Sequence, residues 1–382
     1  MSPIRSLQIL LLLANMAPAF GQSASPNIIL VTLDGMRWQE VFHGLDATLA
    51  SDTRYTKQTK DVQSLFNAAS DTASAAQLFP FLHSVVSEQG VLIGDRQSGS
   101  CAQVTNPWFF SYPGYNEILT GKADPAIASN DPVPNQNVTF LEWLNHSVPG
   151  FQGRVAAFGS WNVFPAIINS ERSGVPVNVG PVENPQTDEQ RLLNRLHRDV
   201  PQLWDTVRLD LLTHYAALDY LRTMAPRVMY ISYGETDDFA HDGHYDEYLF
   251  SAHRTDRFLR ELWDTVQALP DYRDNTVLFV TTDHGRGSLP VETWQHHASR
   301  AAMEGVMQNL AEYENGIEGS DAVWMASMGP GIAAQGLLAT TSDCLGSNQI
   351  AATLIRLLGL QPADFATDIG APLPILVRSG SR

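Results

Sequence analysis

Six short runs along the chain are almost uninterruptedly apolar: residues 27–32 (NIILVT), 91–94 (VLIG), 154–158 (RVAAF), 227–232 (RVMYIS), 276–282 (TVLFVTT) and 323–328 (VWMASM). A strand with one wet face alternates apolar and polar residues; these runs do not, so they read as strands buried on both faces. Between them lie segments with helical spacing, residues 211–223, 245–269 and 349–358, the second carrying Phe250, Phe258, Leu262 and Val266 on one side. Strands alternating with helices predict an α/β fold, a mostly parallel central sheet sandwiched by helices. Two stretches break the pattern. Residues 46–75 are polar without a clear period, and residues 159–200 are rich in Asn, Pro and Arg. Both are expected to be loops or caps over a site rather than core.

Composition adds little to the fold and more to the setting. With 382 residues, 44% hydrophobic and 17% charged, the chain is an ordinary globular protein. Residues 1–24 have the layout of a cleaved signal peptide: Arg5, an apolar run at residues 7–14, then small residues at Ala17, Ala19 and Gly21, with cleavage near Gly21 or Ala24. The apolar run is too short to span a bilayer. The expectation is an exported protein, periplasmic or secreted, with no membrane span after cleavage and a single catalytic domain over residues 25–382. The two cysteines, Cys101 and Cys344, are then free to form a disulfide, although sequence does not show whether they meet. The net charge of −17 argues against a nucleic-acid surface. An acidic protein handling an anionic substrate needs local positive charge, which bound metal would supply.

The chemistry gathers at the strand ends. The first run leads into Leu33-Asp34-Gly35, the fourth into Gly234-Glu235-Thr236-Asp237 with His241 four residues on, and the fifth into Asp283-His284-Gly285. In a parallel sheet, ligands bind just beyond the carboxyl ends of the strands. Each motif alone also reads as a turn or a helix cap. Together they bring Asp and His to one edge of one sheet. Asp237 and His241, at i and i+4, share a face of a helix. Mixed Asp and His ligation suits zinc or manganese better than magnesium or calcium. His296 and His297 follow, and the ligand count leaves room for one more imidazole.

Ser111 is the candidate nucleophile, in the segment WFFSYPGYNEILTG. A serine hydroxyl needs a base or a metal to become nucleophilic. No Gly-x-Ser-x-Gly elbow is present, so a metal alkoxide is the better route. Ser111 also precedes a helix-forming run, where it would serve equally as a cap. The aromatic residues Trp108, Phe109, Phe110, Tyr112 and Tyr115 around it form either a stacking surface for a base or aryl group, or core.

The ordered series Leu33-Asp34-Gly35, Ser111-Tyr-Pro, Thr120-Gly121, Asp237-x-x-x-His241, Asp283-His284-Gly285, a later His and Gly329-Pro330-Gly331 resembles the alkaline phosphatase superfamily, and within it the nucleotide pyrophosphatase/phosphodiesterase-like branch. The resemblance spans nearly the whole mature chain. It implies two metal ions, usually zinc, about 4 Å apart. Carried onto this sequence, Asp34, Ser111, Asp283 and His284 would hold the ion that activates the nucleophile. Asp237, His241 and His297, the last preferred over His296 because Ala298 follows it, would hold the ion that stabilises the leaving oxygen. Ser111 would attack in line, form a phosphoserine and be released by water. The resemblance also implies an Asn beyond the nucleophile that holds a substrate oxygen. Asn130 is preferred over Asn135 and Asn137, and Tyr115 is expected to face the substrate with it.

Two departures shape the expectation. Sulfatases of the superfamily carry Arg four positions after the modified residue, where this chain has Tyr115. The diesterase branch typically uses Thr as nucleophile, and monoesterases use Ser. The expected function is a metal-dependent phosphoric ester hydrolase, acting on monoesters or diesters through Ser111. The alternatives are a sulfatase-type or group-transferring member of the same superfamily, and a non-catalytic metal- or anion-binding protein.

Overall fold

The computed structural model describes residues 25–340 and 343–377, so the expected signal segment lies outside the described residues. The central sheet has eight strands: β1 (Asn27–Leu33), β2 (Gly90–Ile93), β3 (Val155–Gly159), β4 (Val177–Asn178), β5 (Val228–Tyr233), β6 (Thr276–Thr281), β7 (Met325–Met328) and β8 (Gly336–Leu337). Their order across the sheet is β8-β2-β7-β6-β1-β5-β3-β4. Only β7 runs against its neighbours, β2 and β6.

The uninterrupted apolar runs follow from this position. Along β1, Ile29, Val31 and Leu33 enter one core and Ile28 and Leu30 the other. The helices α2 (Asp210–Met224) and α4 (Tyr245–Ala268) cover the first face with Leu218, Leu221, Leu249, Leu259 and Leu262. The helices α1 (Ser111–Thr120) and α5 (Ile350–Leu357) cover the second with Ile118, Leu119, Ile350 and Leu354. Each such fully buried aliphatic side chain contributes about 1.5–3 kcal/mol relative to exposure. The result is a helix–sheet–helix sandwich, with the short helix α3 (Glu235–His241) standing at the end of β5.

Three expectations need correction. Residues 46–75 are not loops: they hold the helices Ala47–Ser51 and Thr59–Phe66 and the start of Asp71–Leu78. Asp46 and Ser70 cap two of these helices, and Leu49, Val62 and Phe66 enter the core. Helices this short complete too few turns to show a period in sequence. Residues 159–200 likewise include a twelve-residue helix, Asp188–Asp199, besides two single-turn helices. The run at 323–328 is two strands rather than one. Ala322–Val323 joins a small second sheet with Ala102–Gln103 and Leu345–Gly346. Between it and β7 stands buried Trp324, whose indole donates to the Met36 carbonyl at 3.0 Å.

Cys101 and Cys344 are joined in a disulfide at a Cα separation of 4.6 Å, bridging 243 residues. It lies where Leu345–Gly346 pairs with Ala102–Gln103, tying the C-terminal segment to the small sheet.

Candidate metal and nucleophile centre

Adjacency of β6, β1 and β5, all parallel, puts three strand ends side by side. Asp34 continues β1 by one more bond, its N–H donating to the Tyr233 carbonyl at 2.9 Å. Gly35 then turns the chain at φ +57°, a conformation that disfavours any side chain. A Cβ there would also stand 2.5 Å from Asp237 Oδ1 and 3.1 Å from the His284 ring. Glycine is therefore required twice, by conformation and by the crowding of site residues. The Gly35 N–H donates to Asp283 Oδ1 at 3.1 Å, linking two strand ends.

The side chains converge on His284 Nε2. It lies 3.3 Å from Asp34 Oδ1, 3.5 Å from Asp283 Oδ2, 3.7 Å from Asp237 Oδ1 and 3.3 Å from Ser111 Oγ. Ser111 is the first residue of α1, behind an extended Phe110. That helix packs directly on the loop after β6: a Cβ on Gly114 would meet the Asp283 carbonyl oxygen at 2.3 Å. Beside this group, Asp237 and His241 share a face of α3, with Oδ2 and Nε2 3.2 Å apart. His297 Nε2 lies 3.1 Å from His241 Nε2 and 3.7 Å from Asp237 Oδ1. All seven expected ligands are thus brought together. His296 is not among them; it is half-buried and turned towards Tyr313.

The electrostatics fit divalent cations. Asp34 Oδ1 and Asp283 Oδ2 are buried without a hydrogen-bond partner. Burial, with Asp34 and Asp237 adjacent, pushes the Asp283 carboxyl well above the usual range. Burial would lower the His284 pKa, but Asp283, Asp34 and Asp237 outweigh it and raise it to about 9. Burial and the neighbouring His284 hold His297 neutral, far below its ordinary value. One imidazole N–H cannot satisfy three carboxylates and a hydroxyl, whereas a cation shared by the same oxygens and nitrogens can. Two donor groups stand out: Asp34, Asp283 and His284 in one, Asp237, His284 and His297 in the other.

Tyr115 is a correction. It was expected at the substrate, but it is fully buried, and its hydroxyl donates to Asp34 Oδ2 at 2.8 Å. It orients the Asp34 carboxylate from behind. Phe110 and Tyr112 are core as well, while Trp108 and Phe109 stay partly exposed. Asn130 sits at the head of α1, its Oδ1 accepting from the Tyr112 N–H at 2.9 Å. Asn135 and Asn137 instead bond Asn116. Sequence reasoning missed Arg286, two residues past His284. It is buried and forms a short ion pair with Asp237 while donating to the Gln295 carbonyl at 2.6 Å. With His241 and His297, Arg286 outweighs the effect of burial and keeps the Asp237 carboxyl well below the usual range. A charged residue directly after a buried strand-end motif was the available signal.

Residues 135–326 match the sequence profile of the type I phosphodiesterase/nucleotide pyrophosphatase family. The matched half of the chain includes Asp237, His241, Asp283, His284 and His297. The protein belongs to this family. Solved structures with the same fold include the wild-type alkaline phosphatase PafA, at 12% identity over 93% of this chain and 99% of that one, with a TM-score of 0.56. The lipoteichoic acid synthase LtaP from Listeria monocytogenes aligns at 12% identity over 90% of this chain and 76% of that one, TM-score 0.53. A 2-O GAG sulfatase aligns at 15% identity, 90% and 72%, TM-score 0.52. No individually curated protein matches significantly. The fold is that of the alkaline phosphatase superfamily, which contains phosphoesterases and sulfatases.

Proposed function

We propose that this protein is an exported, metal-dependent phosphoric ester hydrolase acting through a phosphoserine on Ser111. The observation that carries the reading is the convergence of Ser111 Oγ with Asp34, Asp283 and His284, directly beside Asp237, His241 and His297. Asp34, Ser111, Asp283 and His284 would hold one divalent ion and Asp237, His241 and His297 a second, zinc being the best match to the Asp/His donor set. Bound, the pair would supply Lewis acidity for the nucleophile, the phosphoryl oxygens and the leaving group.

The chain's own groups do the rest. The N-terminal end of α1 fixes Ser111 Oγ for in-line attack at phosphorus. The bond from phosphorus to the leaving oxygen breaks as the bond to Oγ forms. Water then cleaves the phosphoserine and regenerates the hydroxyl. Asn130, anchored through Oδ1, leaves its amide N–H groups to bind a phosphoryl oxygen. Tyr115 holds Asp34 in place, and its presence where a sulfatase carries Arg favours phosphate over sulfate esters. Residues 159–200 begin at the end of β3 and help line a cavity of about 170 Å³ with Ser160, Asn162, His197 and Arg208. This segment would shape access for a small ester substrate. Among the described residues no helix is long and apolar enough to cross a membrane.

The zinc-loaded protein should cleave p-nitrophenyl phosphate or bis-p-nitrophenyl phosphate and spare p-nitrophenyl sulfate, with EDTA abolishing turnover. Faster turnover of the sulfate ester would overturn the reading, and an active Ser111→Ala variant would overturn the covalent step.

A further inference from the structure

We propose that Asn106, anchored by the buried carboxylate of Glu117, is a positioning residue that fixes the ring of His297 through the main chain of Phe109; this rests on the metal-dependent reading above.

The chain of contacts begins on the nucleophile helix. Glu117 lies on α1 six residues beyond Ser111 and is fully buried. Its carboxylate takes the Thr105 N–H at 2.9 Å and the Thr105 hydroxyl at 2.9 Å. It also takes the Asn106 N–H at 2.8 Å and the Asn106 side-chain amide at 2.9 Å. Buried carboxylates without a cation need such full satisfaction by donors. Asn106 is thereby locked with Oδ1 pointing along the chain, where it accepts from the Trp108 N–H at 3.0 Å and the Phe109 N–H at 3.1 Å. An Asn side chain that captures the N–H groups two and three residues on imposes a tight turn.

The turn has a cost that calls for a reason. Phe109 is held at φ +60°, a region that bulky aromatic residues avoid. What the conformation achieves is the direction of one carbonyl. Phe109 O accepts from His297 Nδ1 at 3.1 Å. With the proton on Nδ1, the Nε2 lone pair faces His241 and Asp237. A metal-facing imidazole whose other nitrogen donates to a fixed carbonyl has its tautomer and ring orientation set. The same turn grips the far side of His297, since the Trp108 carbonyl accepts from the Ser299 N–H at 3.0 Å. One helix therefore carries both the nucleophile and the anchor for a ligand of the neighbouring group, so the two halves of the centre cannot shift independently.

Calorimetric titration of the metal-free protein with Zn²⁺ tests the proposal. The wild type should bind two ions. Asn106→Ala, shown folded by circular dichroism, should keep one ion at wild-type affinity and bind the other about 10–100-fold more weakly, the range for lost outer partners of metal ligands. Asn106→Asp alone sets two carboxylates face to face and should weaken the same ion. The double exchange Asn106→Asp with Glu117→Gln swaps amide and carboxylate across the same hydrogen bond and should recover part of that loss. A folded Asn106→Ala variant that binds both ions normally overturns the proposal. Where Asn106→Ala does not fold, a double exchange no better than Asn106→Asp overturns it. A wild type that binds fewer than two ions overturns the two-metal reading itself, and the proposal with it.

Discussion

The two halves of the centre are built differently. The group around Ser111 rests on strand ends and the head of a buried helix, and its Asp34, Asp283 and His284 are 5%, 0% and 0% exposed. The group around Asp237 rests on the short helix α3 and an irregular loop, and the His241 side chain is 42% exposed. The first half has buried oxygens with no partner; in the second, Asp237 is already engaged by Arg286. Buried carboxylate oxygens without a hydrogen-bond partner have more to gain from a cation than a carboxylate already paired with a buried guanidinium. The Ser111 half is therefore the more enclosed one, and the Asp237 half meets solvent through His241.

The comparison is broken most directly by Ser111→Ala, which should lower kcat by at least about 10³-fold while the Asp237 half still binds zinc. Asp283→Ala should follow, at several kcal/mol of lost charge stabilisation or about 10³-fold in kcat/KM, and His241→Ala should cost about tenfold less. Equal losses in steady-state rates would show the two halves to be equivalent. Gly35→Ala touches both halves, because the new Cβ meets Asp237 and His284 at a left-handed φ. It should cost at least about 2 kcal/mol of stability in urea unfolding, with activity falling alongside.

The smallest effect calibrates the background. His214, behind the site, is fully buried, stacked on Phe258 at 4.2 Å and bonded to Tyr233 at 2.9 Å. Burial, reinforced by Arg222, lowers its pKa to about 3; Glu261, 3.3 Å away but 42% exposed, is too well solvated to reverse this. The folded pKa lies below the ordinary histidine value of about 6.5. The unfolded chain therefore takes up a proton first, and stability present above that value is lost as pH falls towards 3. The slope is at most about 1.4 kcal/mol per pH unit. Urea midpoints at several acidic pH values should show it, and His214→Phe should flatten it. An unchanged slope in that variant would show that His214 does not carry the acid sensitivity.

The strands, the long helices and the residues that converge at the strand ends were legible because each has a local cause. Burial on both faces makes a strand continuously apolar, and a strand end followed by Asp or His in a parallel sheet has one destination. The i, i+4 spacing of Asp237 and His241 is a helical fact that sequence states outright. The sequence alone therefore determined the sheet, the edge that carries the chemistry and the residue types gathered there.

Contacts between distant segments decided the rest. Sequence left Cys101 and Cys344 open, and only the pairing across 243 residues joined them. His296 and His297 are neighbours in sequence, but only the loop's path turns one inward. Tyr115 reads as an aromatic beside a nucleophile, and only packing of α1 against the sheet sends its hydroxyl to Asp34. The short helices of residues 46–75 are held by a core they reach only after folding. Arg286 and the turn from Asn106 to Phe109 have meaning only once Asp237 and His297 stand beside them. Local pattern fixes which residues are buried and in what rhythm; which buried groups face each other is set by the long-range packing that closes the sheet and its helices.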